Sequence, residues 1–160
     1  MEEESGKSGS EEPTAAPAER EEEPRVFIVG MGQTGRDLLR RLSKSLAVVG
    51  LDLSPDKLAR ARKRLGSPEP PLLLKDAASR LTWQELNLSD QDTVIAVTRS
   101  DDVNLEICRV TREHFNVRRL FSLTHSASRA EEYAAFGAET IDRSQLVASY
   151  LESWIVKDRR

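Results

Sequence analysis

Arg25-Val-Phe-Ile-Val-Gly-Met-Gly-Gln-Thr-Gly-Arg36 runs an apolar stretch into a glycine-rich turn and then into an amphipathic segment. The order is strand, phosphate loop, helix. Gly30, Gly32 and Gly35 fall on the G-x-G-x-x-G spacing, in which glycines permit a tight turn, a close approach of backbone to pyrophosphate and close helix–strand packing. A helix opening within Met31–Gly35 leaves its first N–H groups unpaired and aims the positive end of its dipole the same way. The backbone of Met31, Gln33 and Thr34 therefore joins the three glycines as phosphate-binding candidates.

The flanking sequence strengthens this reading. The next apolar run, Ala47-Val-Val-Gly-Leu-Asp52, ends in an acid about twenty residues on, where a carboxylate can accept both hydroxyls of an adenosine ribose. From Arg25 onward apolar runs alternate with helical patterns, the signature of a parallel sheet with crossover helices. Strands are predicted at Val26–Val29, Ala47–Asp52, Pro71–Leu74, Thr93–Thr98, Leu120–Leu123 and Glu139–Ile141. Helices are predicted near Arg36–Lys44, Pro55–Leu65, Asp101–Phe115, Ser128–Phe136 and Ser144–Val156. The fold class that follows is α/β, a doubly wound, Rossmann-like, six-stranded parallel sheet in a single domain. Right-handed crossovers place the loops after the first four strands around one crevice at the carboxyl edge.

Those loops supply the other candidates. After Asp52, Leu53 and Lys57 border the ribose, while Ser54 is an N-cap and Pro55 suits the first helical position. Asp52 repels a 2′-phosphate, which favours NAD or an adenosine phosphate over NADP; Arg60, Arg62, Lys63 and Arg64 on the same helix are read mainly as a solvated basic face. In Lys75-Asp76-Ala77-Ala78-Ser79, Asp76 could accept from an adenine amine and Ala77 offers a backbone N–H; the other reading of Asp76 is a cap on the next turn. After the fourth strand, Ser100 or Asp101 is expected to cap the helix to Phe115, leaving Thr98 and Arg99 as ligand candidates.

Composition sets the wider limits. With 160 residues, 38% apolar, the chain can bury one sizeable core but hardly two. The formal charge of -3 conceals an asymmetry: residues 1–24 hold nine acids and two bases, and the remainder has 22 bases against 18 acids. Residues 1–24, without an aromatic or branched aliphatic side chain, are expected to be a disordered acidic tail, and 25–160 the nucleotide-binding domain. Glu21, Glu22 and Glu23 could fold back on the basic nucleotide mouth, but a solvated linker is the simpler reading. The single Cys108, taken as core beside Leu105, and the lack of an eighteen-residue apolar run lead us to expect a cytoplasmic protein with no direct membrane insertion.

Five blocks, GMGQTG, VVGLD, KDAAS, VIAVTRSDDVN and GAETIDRSQLVASYL, together resemble the N-terminal domain of RCK proteins, also called KTN or Trk-N domains, over residues 25–155. The resemblance implies a dimeric regulator that binds NAD or NADH, with ATP, ADP or AMP as the alternative, and that passes its conformation to a membrane potassium channel or transporter subunit. It also implies phosphates at Gly30, Gly32 and Gly35, ribose at Asp52, adenine at Asp76 and Ala77, and Thr98 on the opposite wall. The chain departs from the pattern at Lys75, where relatives place glycine, and it carries neither a second lobe nor a pore. A stand-alone member and a piece of a longer polypeptide both fit.

Rival classes find less support. An NAD-dependent oxidoreductase would need a catalytic group, and no Lys follows Tyr133 or Tyr150 at the Tyr-x-x-x-Lys spacing; His114 and His125 are read as structural, and no metal-ligand spacing is present. Dispersed bases and 5% aromatic content argue against nucleic acid. Leu146, Val147, Tyr150, Leu151, Trp154 and Ile155 form an apolar stripe on the last helix, for which Ser144 is the expected cap. That stripe predicts a homodimer, the alternative being a helix docked on its own sheet.

Overall fold

The computed structural model describes residues 22–158, so most of the expected acidic tail lies outside the described residues. Six strands, β1 (Arg25–Val29), β2 (Ala47–Asp52), β3 (Leu72–Leu74), β4 (Thr93–Ala96), β5 (Arg119–Thr124) and β6 (Ala138–Asp142), form one parallel sheet in the order β3-β2-β1-β4-β5-β6. From β1 the chain winds outward to β2 and β3, then returns to β4 on the other side of β1 and winds outward to β5 and β6, so the order reverses between β1 and β4 and a crevice opens beyond their carboxyl ends.

Alternation along β1 divides the core. Phe27 and Val29 face one side, with buried residues from α3 (Arg80–Glu85), α4 (Asp101–Phe115) and α5 (Ala130–Ala135); Ile28 faces the other, with those from α1 (Gln33–Leu42) and α2 (Pro55–Arg62). Strands buried on both faces read as unbroken apolar runs, which is why Val-Phe-Ile-Val and Ala-Val-Val-Gly-Leu were legible as strands.

The caps follow local chemistry. Ser54 accepts from the Lys57 amide ahead of Pro55, and Ser100, of the two residues considered, accepts from the Val103 amide. The last helix, α6 (Arg143–Lys157), corrects an expectation: Asp142, not Ser144, is its cap, accepting from the amides of Ser144 and Gln145. A carboxylate at the end of β6 reaches two orphan amides, whereas Ser144, two residues later, is already helical. A further correction is that β4 ends at Ala96 rather than Thr98; α1 begins at Gln33, inside the expected Met31–Gly35 opening and three residues ahead of Arg36.

The α3 helix had no counterpart in the sequence reading. It is six residues long and lacks a side-chain cap, yet it buries Trp83 completely, edge-on to Phe27 with ring centroids 5.4 Å apart. The Trp83 indole N–H donates to the Ala77 carbonyl at 2.7 Å, tying the loop after β3 to the core.

Candidate functional site

Backbone sterics shape the glycine turn. Gly30 has φ +102°, a region that favours glycine, and a Cβ there would stand 2.9 Å from the Thr98 amide nitrogen; the first turn is thereby pressed against the end of β4. A Cβ on Gly35 would overlap the Gly30 carbonyl oxygen, so glycine is what lets α1 pass over the turn. Gly32 differs: nothing lies within 4 Å of its Cβ position, because it faces open crevice.

Gly32 is also the N-cap of α1 and has no side chain to satisfy the helix. The first intrahelical bond runs from the Arg36 amide to the Gly32 carbonyl at 3.0 Å, leaving the earlier amides of Gln33, Thr34 and Gly35 at the helix mouth. No acid occupies the first turn. A bare, uncapped helix start opening on empty space is the arrangement that accepts an anion.

Asp52, at the end of β2, is held on both oxygens: Oδ2 accepts from the Met31 amide at 2.7 Å and Oδ1 from the Ser54 amide at 2.8 Å. The side chain therefore braces the glycine turn against the β2–α2 loop. Each oxygen keeps a lone pair for a further donor, so bracing and ribose recognition are compatible.

Most of the predicted site residues converge. Gly30, Gly32, Asp52, Leu53, Lys57, Asp76, Ala77, Thr98 and Arg99 border a cavity of about 240 Å³. Gly32, Thr98 and Arg99 also border a second chamber of about 360 Å³, joined there by Gln33 and Thr34. Met31 and Gly35 border neither cavity; the Met31 side chain is fully buried against the α1 face, and only its amide serves the turn.

Two candidates carry less free polarity than the sequence suggested. Asp76 accepts from the Ala78 amide at 2.9 Å, a turn-forming bond, while still bordering the cavity. The Thr98 hydroxyl lies 2.6 Å from Oδ1 of Asn104, which also accepts the Thr98 amide at 3.0 Å. Asn104 is fully buried, and its Nδ2 donates to the carbonyls of Thr98 and Leu123, both at 3.2 Å. This one amide fixes the β4 loop to the end of β5, and Thr98 contributes wall shape rather than an unengaged hydroxyl.

Several residues at the crevice were not singled out as ligands. Val103 and Ile107 of α4 give the first cavity an apolar wall, and Asp37, His125 and Arg143 border the second. His125 stands directly after β5 and Arg143 directly after β6, so their signal was position at the carboxyl edge of strands. The His125 amide donates to both oxygens of Asp101 at 3.0 and 3.1 Å, and its Nδ1 lies 3.1 Å from Asp101 Oδ1. Burial opposes ionisation of Asp101, but these bonds, with the Tyr133 hydroxyl, outweigh it and hold the carboxyl below the ordinary range. Tyr133 is itself pushed up to about 12, first by burial and then by Asp101. Burial likewise pushes the Cys108 thiol up to about 12, which suits a core residue rather than a nucleophile.

Among the described residues, no group of three or more His, Cys, Asp or Glu side chains is placed to hold a metal, and no helix is long and apolar enough to cross a membrane.

Comparison with known proteins bears on this geometry. The model of the TrkA-N domain matches residues 26–142, which takes in the six strands but for Arg25 and the crevice but for Arg143. The chain belongs to the TrkA-N domain family. A relative is the Trk system potassium uptake protein TrkA of Haemophilus influenzae, 26% identical over 132 residues; the match takes in 78% of this chain and 27% of the relative, so this TrkA-N chain spans about a quarter of that protein's length. The TrkA-N domain of the inner membrane protein ybaL from Escherichia coli superposes with a TM-score of 0.71 at 17% identity, covering 82% of this chain and 96% of the other. The GsuK channel bound to NAD superposes with a TM-score of 0.69 at 17% identity, over 82% of this chain and 24% of the channel chain. At these identities the structural likenesses establish the fold.

Proposed function

We propose that this TrkA-N chain is a regulatory nucleotide-binding domain that takes NAD or NADH in the two-chambered crevice and, as a homodimer, passes its state to a membrane potassium channel or transporter subunit. The observation that carries the reading is the meeting of both chambers at Gly32, beside the uncapped start of α1. Adenosine enters the smaller chamber, with Asp52 on the ribose and Asp76 with the Ala77 amide at the base. The pyrophosphate lies on the Gln33–Gly35 amides, near Arg99. The nicotinamide half enters the larger chamber, which ATP, ADP or AMP would leave empty. That TrkA proteins act in potassium uptake, and that a channel of the same fold is known with NAD bound, supports the partner and the ligand.

Regulation then needs no chemistry, only unequal affinity of the nucleotide for two arrangements of the domain. A second reading, an NAD-dependent oxidoreductase, draws on the His125–Asp101 pair at the larger chamber. Thermal unfolding with NAD, NADH, ATP, ADP and AMP tests the proposal, since a ligand at about 100 times its dissociation constant stabilises by about 2.7 kcal/mol. NAD or NADH should stabilise most. A protein indifferent to both dinucleotides would refute the ligand, and NADH oxidation dependent on His125 would favour the enzyme.

A further inference from the structure

The two helices on one face of the sheet concentrate the positive charge of the folded body. With the turns that close them, α1 and α2 (residues 33–46 and 55–65) hold nine bases against two acids, whereas α3, α4 and α5 on the opposite face hold three bases against seven acids. None of the nine basic residues is buried. Among the described residues only Arg62 of the nine is in an ion pair, with Glu69 at 3.8 Å. On the opposite face, by contrast, Arg109 is held between Glu106 and Glu113. Two faces of opposite sign give the domain a dipole that turns its α1–α2 side toward an anionic partner.

Arg36 and Arg40 of α1 border a hollow of about 260 Å³ together with Arg64, which follows α2. The hollow is continuous with the nucleotide crevice, since Gln33 and Asp37 border both it and the larger chamber. Guanidinium forks match the oxygens of a phosphate group, and three around one hollow suit a phosphodiester. Arg60 and Lys63 join Arg36 and Arg64 around an adjoining hollow of about 180 Å³, so the cationic surface is broader than one group.

The rest of the face narrows the kind of partner. Residues 33–65 contain no aromatic side chain on which a base could stack. Both helices are packed onto the sheet through Leu39, Leu58 and Ala61 and present their sides, so neither projects to enter a nucleic-acid groove. A protein interface has an apolar centre from which charge is depleted. Here the exposed large apolar side chains are Leu46 and Leu53, and Leu53 borders the crevice. A broad array of unpaired cations without an apolar anchor suits the surface of a bilayer that contains anionic lipid. We propose that the α1–α2 face docks on anionic phospholipid headgroups, with Arg36, Arg40 and Arg64 around a lipid phosphate. Such docking needs no particular nucleotide in the crevice.

Co-sedimentation of the full chain with phosphatidylcholine vesicles, with and without phosphatidylglycerol, tests this. Binding should require phosphatidylglycerol and vanish in about 1 M salt, where the screening length is about 3 Å. Each basic residue near such a surface contributes about fivefold in affinity, so Arg40→Gln, Arg64→Gln should bind at least about tenfold more weakly. Arg80→Gln, Arg118→Gln removes the same charge from exposed positions at the start of α3 and before β5, and should bind as wild type does. Circular dichroism checks the fold of both variants, and the lipid and salt dependence of the wild type are read without them. Binding that survives salt, occurs equally on phosphatidylcholine alone or falls equally in both variants would overturn the docking face, as would no binding at low salt. Arg64-dependent binding to duplex DNA, with none to the vesicles, would assign the face to nucleic acid instead.

Discussion

The Met31 amide and the Asp52 carboxylate, 21 positions apart in sequence, meet at 2.7 Å where the glycine turn leaves β1. Asp52 takes the Ser54 amide on its other oxygen, so one side chain sets both the glycine turn and the β2–α2 loop that border the crevice. The residue proposed to read the sugar is also a strut of its own pocket. Loss of its charge should therefore act on the empty domain as well as on binding.

Asp52→Asn tests that double role. An amide keeps the size but turns an N–H toward one of two backbone donors, leaving a repulsive contact and a weaker acceptor. The variant should unfold at lower temperature and bind NAD more weakly by ~1.5–3 kcal/mol in calorimetry. Weakened binding with unchanged thermal stability would remove the strut, and the reverse result would remove the ribose contact.

The two inner glycines should separate folding from binding. Gly32→Val places its side chain in open crevice, so the domain should keep its circular dichroism and stability but lose NAD affinity. Gly35→Ala drives a methyl into the Gly30 carbonyl and should destabilise the fold by about 1–3 kcal/mol. Chemical unfolding and NAD titration of both variants give the comparison. A stable Gly35→Ala or a binding-competent Gly32→Val contradicts the assignment.

The fold was largely written in periodicity, because strands buried on both faces leave unbroken apolar runs and the long α4 repeats its buried positions at Ile107, Cys108, Val110 and Thr111. The α3 helix escaped because it buries only the adjacent pair Thr82 and Trp83, which show no helical spacing, while Leu81 remains 67% exposed and blurs the pattern. The site was legible where backbone chemistry dictates residue type, at the glycines and Asp52. It was not legible where a side chain acts on a distant loop. Asn104 looked like one more polar group after β4, and only the sheet order brings Leu123 to its amide. Asp52 showed its acid but not its donor at Met31, for the same reason.

Asp101 gives a pH dependence with a fixed sign. Its folded carboxyl sits below the ordinary value of about 3.9, so it adds stability at pH values above that figure and loses it as pH falls through the folded value. Wild type should therefore exceed Asp101→Asn in stability at neutral pH, and urea unfolding at decreasing pH should show the gap closing in the acid range. A gap that is constant across the series would show that the bonds from His125 do not favour the ionised form.

The final relation concerns α6, none of whose residues is buried. Tyr150, Leu151, Trp154 and Ile155 are each more than half exposed, and the rings of Tyr150 and Trp154 lie tilted against each other with centroids 5.6 Å apart. The alternative reading of the stripe, a helix docked on its own sheet, would have buried these side chains. Apolar surface of this extent on a single helix marks an interface, and a second copy offers an identical stripe under two-fold symmetry. A homodimer through α6 would set the two crevices on one rigid axis, so nucleotide state could change the angle between domains. Light scattering at tens of micromolar protein should show a dimer for the wild type and a monomer for Leu151→Glu, Trp154→Glu, with circular dichroism unchanged because both sites are exposed. A monomeric wild type, or a dimer indifferent to both glutamates, would place the interface elsewhere and leave the stripe for the membrane partner.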